Sequence, residues 1–129
     1  MINLELPIYW TKNFKTKKDK TVLVGMNWYR NAHYHDQNNM KTFFHNLIST
    51  QLGTYTIPSQ FKVHYKLYYK NSVCDGANII ALMEKVTLDS LQESKIVVND
   101  NVKYHVGSTW EVIKQDKNNP RCKISITKI

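Results

Sequence analysis

Apolar residues along the chain follow two periods, one typical of strands and one typical of helices. Apolar and polar residues alternate in residues 2–10, 61–69 and 122–126, as expected of strands with one buried face. In residues 35–53 and 76–94, apolar residues recur at helical spacing, which predicts two amphipathic helices. Because strands and helices do not alternate strictly, the pattern predicts an α+β fold with a mixed or antiparallel sheet and two main helices.

Shorter apolar runs predict further strands. Residues 20–30 indicate a strand that runs into a turn at Gly25, preceded by a lysine-rich loop or hairpin tip. Residues 95–114 indicate a short strand, a turn at Asn99–Asn101 and another strand. We expect the final strand, within residues 121–129, to pair with the strand before it.

The chain has 129 residues, the size of one domain, and no repeat or Pro/Gly-rich linker divides it. We therefore expect a single domain over residues 1–129. No apolar run approaches the ~18 residues that span a membrane, and the N-terminus has no basic head followed by an apolar stretch, so we expect no secretory signal. Cys74 and Cys122 belong to no ligand pattern, which predicts reduced thiols in a cytoplasmic protein.

Three of the five histidines lie close together in sequence, at His33, His35 and His45. They could be zinc ligands, but zinc sites draw on tighter, recurring spacing. Polar histidines near the start of a helix are the favoured interpretation.

The formal net charge of +8 favours a polyanionic partner. Residues 11–20 are rich in lysine, and residues 61–71 interleave lysines with tyrosines. Lysines neutralise phosphates, and aromatic rings stack on unpaired bases. The alternative for the second stretch is a half-exposed strand with ordinary aromatic packing. The candidate DNA contacts from the basic residues are Lys12, Lys15, Lys17, Lys18, Arg30, Lys66 and Lys70.

Polar residues follow the second predicted helix along one line. Asp75 precedes the helix and could cap it. Asn78, Lys85 and Asp89 are seven and four residues apart, which places them on one helical stripe. Asp100 follows in a turn that could fold back beside this stripe. Such a set suits Mg²⁺, which binds carboxylates, waters and substrate phosphate and can activate water for phosphodiester hydrolysis.

Each of these residues also has an ordinary structural explanation. Asp75 can be a helix cap, Lys85 and Asp89 a surface ion pair, and Asp100 part of a turn. Spacing alone leaves both interpretations open.

The segment over residues 61–107 resembles the RusA-type Holliday junction resolvases, the crossover junction endodeoxyribonucleases of phages, prophages and their bacterial hosts. In that family D-x-D-N opens a helix, a lysine follows, D-x-L comes four residues later, and a D-D pair precedes a closing strand. The "LELP" and "GMNWYR" segments also match in order, so the resemblance covers most of the chain. The matching residues are Asp75, Asn78, Lys85, Asp89, Leu91 and Asp100.

The resemblance implies a RusA-like homodimer that binds four-way and related branched DNA and cuts it by paired phosphodiester hydrolysis with Mg²⁺ or Mn²⁺. Membrane association and a small-molecule cofactor are not expected, and a phage-encoded protein would act in the cytoplasm of its bacterial host. Lys85 becomes the catalytic lysine. The catalytic metal ligands become Asp75 and Asp100, with Asp89 either as a further ligand or as an acid that orients the others, and Asn78 and Asn99 support them.

Two positions depart from the family pattern. Ala77 stands where the second acid of D-x-D is expected, and Asn99 stands where the first acid of the D-D pair is expected, either naturally or by substitution. In a phage branch with D-x-x-N and residues like those of 116–121, Asp89 supplies the missing carboxylate. The alternatives are a catalytically impaired, structure-specific DNA-binding protein on the same scaffold, or a basic protein-interaction module.

Overall fold

A computed structural model describes all residues, 1–129, and confirms the α+β fold. The two main helices lie within two residues of their predicted bounds. The elements are β1 Ile2–Pro7, β2 Tyr9–Lys12, β3 Lys20–Leu23, α1 Met26–Asn31, α2 Tyr34–Gln51, β4 Phe61–Tyr69, α3 Gly76–Glu93, β5 His105–Gln115 and β6 Arg121–Lys128.

The main sheet has four strands in the order β1-β6-β4-β5. It is mixed, because β6 is antiparallel to both β1 and β4, whereas β4 and β5 are parallel. A separate hairpin consists of β2 and β3. The helix α2 packs against β1 and α3, and α3 also contacts α1 and β4. None of the helices has the length and apolar character needed to cross a membrane.

The core lies between the helices and one face of the sheet. Along β4 the buried residues alternate as predicted, from Phe61 to Leu67. The helix α2 contributes a narrow stripe of Met40, Phe44 and Ile48, whereas Phe43, which shares the helical spacing, is exposed. The apolar face of α3 completes a cluster of 26 buried side chains.

The predicted pairing of the final strand with the preceding one is wrong. The strand β4 separates β5 from β6 in the sheet, and residues 116–120 cross the end of β4, where the Asp116 amide donates to the Tyr69 carbonyl at 2.7 Å. The prediction rested on closeness in sequence. Pairing with β1 on one side and β4 on the other places β6 inside the sheet, where its apolar face is buried; a hairpin with β5 at the sheet edge would leave that face more exposed.

The structure also differs from the prediction in three short segments. The first alternating run is divided at Ile8 into strands of two different sheets. The "GMNWYR" segment forms the short helix α1 instead of a turn. Residues 95–98 form no strand; Val97 makes only an isolated bridge with Ile57, because Lys95 adopts a left-handed backbone conformation directly after α3 and turns the chain away.

Candidate functional site

Asp75 caps the N-terminus of α3. Its backbone is extended, and its Oδ1 accepts a hydrogen bond from the Asn78 amide at 3.3 Å. This bond satisfies one of the amides that a helix leaves without an internal partner. The carboxylate that the sequence assigned to a metal therefore has a structural role at the start of the helix.

Asn78 connects α3 to α1. Its Oδ1 accepts a hydrogen bond from the Asn27 amide at 2.8 Å, and its side chain lies directly against Gly25. Asn78, which the sequence predicted to support a metal site, therefore makes a contact between two helices.

The structure does not bring Asp75, Asp89 and Asp100 together as three ligands of one ion. Asp75 and Asp89 are fourteen residues apart along one continuous helix, which corresponds to about 21 Å at 1.5 Å per residue. Mg²⁺ ligands lie about 2.1 Å from the ion, so these two carboxylates cannot share one. Nowhere do three or more His, Cys, Asp or Glu side chains form a group that could hold a metal. The spacing correctly predicted that the acids lie on one side of the helix. Residues on one side can still be far apart along the helix axis, as Asp75 and Asp89 are.

The remaining half of the predicted site does come together. Lys85, Asp89 and Asp100 line one open depression of about 390 Å³, and the Lys85 ammonium lies 3.6 Å from an Asp89 carboxylate oxygen. The complete lining is Ala81, Glu84, Lys85, Leu88, Asp89 and Asp100. Two predicted acids and the predicted lysine therefore share one surface feature, which also contains a third carboxylate.

Cations and an aromatic ring flank this depression. The ammonium of Lys85 lies 5.6 Å from the centre of the Tyr29 ring, and that of Lys41 lies 5.9 Å from the same ring. Sequence reasoning missed Tyr29, Lys41 and Glu84 as neighbours of the site. Only Glu84 could have been found from the sequence, because it directly precedes Lys85. Tyr29 and Lys41 lie on other helices, so their positions depend on how the helices pack.

The turn over Asn99–Asn101 forms as predicted. The Oδ1 of Asn99 accepts a hydrogen bond from the Asn101 amide at 3.0 Å, and Asn101 makes the same kind of bond to the Lys103 amide. These Asx-type bonds hold the turn that carries Asp100. Asn99 therefore supports the position of Asp100, as a turn residue.

The β2–β3 hairpin carries the densest positive charge. Lys12 pairs with Asp36 at 2.8 Å, but the four lysines after it in the hairpin have no carboxylate partner. The centre of the Phe14 ring lies 4.9 Å from the ammonium group of Lys12 and 4.4 Å from that of Lys17. The unpaired lysines are Lys15, Lys17, Lys18 and Lys20.

The other predicted DNA contacts lie on different elements of the fold. Lys70 lies over the Tyr9 ring at 5.4 Å, at the base of the hairpin, and Arg30 is exposed on α1 without an ion-pair partner. Lys66 lies on the sheet face away from the helices, beside Lys123 of β6. The predicted set is therefore not a single surface.

The histidines and cysteines do not form a reactive or metal-binding group. His33 caps α2 by accepting a hydrogen bond from the His35 amide at 3.2 Å, and His45 lies in the groove between α2 and α3, where it contacts Ser90 and Glu93. Both cysteines are free. Burial raises the pKa of the Cys74 thiol and raises that of Cys122 to about 12, so both are protonated at neutral pH.

The chain matches no family model and no curated protein sequence.

Proposed function

We propose that the protein binds DNA through the β2–β3 hairpin and that branched DNA is its preferred ligand. The observation that carries this proposal is the group of unpaired lysines on an exposed hairpin of a chain with net charge +8. Such a group attracts phosphates and releases condensed counterions on binding. Lys70 at the hairpin base extends the same positive surface.

Two features favour branched DNA over plain duplex. The half-buried Phe14 ring, which lies near the ammonium groups of Lys12 and Lys17, supplies an aromatic group within the positive surface that can stack on unpaired bases, which a junction or fork offers and a duplex does not. The order of motifs that resembles the RusA-type resolvases points to the same ligand class, and the α+β fold is compatible with it.

Binding without efficient cleavage agrees best with the arrangement of the acids. Asp75 is a helix cap about 21 Å from Asp89 along α3. Ala77 and Asn99 remove two further carboxylates that the resemblance would require. We therefore expect a structure-specific DNA-binding protein that lacks a complete metal site of three carboxylates.

A second candidate function is a Mg²⁺- or Mn²⁺-dependent endonuclease that uses the depression beside α3. The observation that favours it is the shared lining by Lys85, Asp89 and Asp100. Mg²⁺ is often held by one or two carboxylates, with waters and substrate phosphates completing its shell. Asp89 and Asp100 would hold the ion, which would supply an activated water, and Lys85 would neutralise charge on the phosphate.

The binding proposal is tested with a labelled four-way junction and a linear duplex of the same sequence, titrated in EDTA at several salt concentrations. We expect tighter binding to the junction. The triple variant Lys15→Gln, Lys17→Gln, Lys18→Gln should lower the magnitude of the salt slope by about 3, since each phosphate contact contributes about 0.9. Equal affinity for both DNAs, or an unchanged slope in this variant, would overturn the proposal.

A matched control removes three lysines elsewhere. Lys62, Lys95 and Lys128 are exposed and lie outside the hairpin, so their replacement by glutamine changes net charge equally. We expect junction preference and most of the salt slope to persist in this control. An equal loss in both triple variants would indicate attraction to the whole charged chain instead of contact by the hairpin.

The nuclease candidate is tested by incubating both DNAs with Mg²⁺, Mn²⁺ or EDTA. The nuclease candidate predicts paired nicks in the junction alone, lost in Asp100→Asn and retained in Asp75→Asn. Loss of nicking in a folded Asp75→Asn protein would place the ion at the helix start instead. Tight junction binding with no nicks in either metal would reject the nuclease and leave the binding proposal standing.

A further inference from the structure

A depression of about 590 Å³ lies between the β2–β3 hairpin and α2. It is separate from the depression beside α3, with which it shares no residue. Ligand sites combine aromatic or apolar walls with a few polar groups that orient the ligand, and this depression has that composition. Its lining includes Tyr9, Trp10, Lys12, Asn13, Asn39 and Phe43.

Phe43 supplies an accessible aromatic ring to this depression. Its side chain is 38% exposed, although it follows the apolar spacing of α2. The neighbouring Phe44 is fully buried, and the two rings meet edge to face with their centres 5.2 Å apart. Because Phe44 is fixed in the core, this contact holds the Phe43 ring in place. An accessible ring beside a positively charged hairpin is suited to stack on a nucleic-acid base.

Two side-chain amides supply the polar groups. Asn13 follows β2 and Asn39 lies on α2, and both side chains are exposed. The Lys12 ammonium, by contrast, is already paired with Asp36 at 2.8 Å. A carboxamide both donates and accepts hydrogen bonds, as the mixed donors and acceptors on the edge of a base require.

We propose that this depression holds one unpaired base of the DNA, with Phe43 stacked on the base and Asn13 and Asn39 bound to its edge. The proposal rests on DNA binding by the hairpin and names the part of the DNA that the adjoining pocket takes. The Lys70 ammonium, 5.4 Å from the centre of the Tyr9 ring, places positive charge beside the pocket for the neighbouring phosphates. A base that is already unpaired costs less to take up than one extruded from a duplex, so the pocket adds to the preference for branched DNA.

The test uses a forked DNA with single-stranded arms, in which each unpaired nucleotide in turn is replaced by an abasic one. Its affinity for the full-length chain is measured in EDTA. We expect a loss of about tenfold at one position next to the branch. Phe43→Leu keeps an apolar side chain without the ring and should bind the intact and abasic forks equally. The matched control Tyr55→Leu, at an exposed ring outside the depression, should keep the difference.

Base identity tests the two amides. With each of the four bases placed at the sensitive position, we expect the affinities to span at least about fivefold. The double variant Asn13→Ala, Asn39→Ala should bring the four affinities together. The matched control, Asn46→Ala with Asn118→Ala, removes two exposed amides outside the depression and should leave the differences unchanged.

The outcomes separate this proposal from DNA binding by the hairpin. If the chain binds the fork but no abasic position weakens binding, the pocket proposal is overturned and the hairpin proposal stands. The same holds if the abasic effect persists in Phe43→Leu, if it disappears in Tyr55→Leu, or if base preference survives in the double alanine variant. A wild-type chain that binds none of the DNAs overturns both proposals. The abasic series on the wild-type chain needs no variant, so it decides even if Phe43→Leu fails to fold.

Discussion

The side-chain oxygen of Asn78 accepts a hydrogen bond from the backbone amide of Asn27 at 2.8 Å, and this bond joins the first turns of α3 and α1. Gly25, the residue that precedes α1, lies against the same side chain, so that a Cβ atom at this position would collide with the Asn78 carboxamide. The backbone of Gly25 is extended and open to any residue. The close approach of Asn78 is therefore what requires a glycine.

Gly25→Ala is expected to lower the free energy of unfolding by about 1–3 kcal/mol, because Asn78 must move and its bond to Asn27 must lengthen. Urea unfolding followed by circular dichroism measures the change. Gly53→Ala is the matched control, since open space surrounds that glycine, and it should be neutral or stabilise by about 0.4–1 kcal/mol. Equal stabilities for Gly25→Ala and the wild type would show that Asn78 shifts without cost.

The elements that the sequence predicted well are those whose periodicity comes from their own burial. The alternation along β4 and the stripe along α3 survive because each residue's environment follows from its place in one element. Which strands are adjacent in the sheet is not determined by the pattern within each strand. The insertion of β4 between β5 and β6 depends on contacts between distant segments, and nothing in the local pattern of either strand encodes it.

The candidate site divides in the same way. Spacing placed Lys85 and Asp89 together correctly, because residues four apart on a helix are neighbours. It could not exclude Asp75, whose distance from Asp89 is set by the unbroken length of α3. The position of Tyr29 beside Lys85 depends on how α1 packs on α3, which only the folded chain specifies.

Lys95 is the sole non-glycine residue with positive φ, at 58°, and it ends α3. The Lys95 amide donates to the Gln92 carbonyl and the Ile96 amide donates to the Leu91 carbonyl, a helix end that favours glycine. Lys95→Gly is therefore expected to raise the free energy of unfolding by about 1 kcal/mol, measured by urea unfolding. Lys103→Gly, in a turn without positive φ, should lower it by about 0.4–1 kcal/mol. A loss of stability in Lys95→Gly would contradict this assignment.

Asp116 makes stability depend on pH at the acid end. A hydrogen bond from Arg121, at 2.7 Å, is the main cause that lowers the pKa of Asp116. A carboxyl with a lowered folded-state pKa stabilises the fold fully above its unfolded pKa, and this contribution is lost as pH falls through the folded value. We expect wild-type thermal stability to fall below about pH 4 and Asp116→Asn to show a flatter acid limb. Asp19→Asn, at an exposed residue of the hairpin loop, is the control; parallel profiles for Asp116→Asn and wild type would contradict the linkage.

Asp75 allows its structural and chemical roles to be separated by two substitutions. As a helix cap it needs only a side-chain oxygen to accept the Asn78 amide, and asparagine caps about as well as aspartate. We therefore expect Asp75→Asn to keep wild-type stability and Asp75→Ala to lose about 1 kcal/mol in urea unfolding. Asp89→Ala is the comparison, because it removes only a surface ion pair worth a few tenths of a kcal/mol. If Asp75→Asn instead lost as much stability as Asp75→Ala, the negative charge at the helix start, and not the hydrogen bond, would be the stabilising feature.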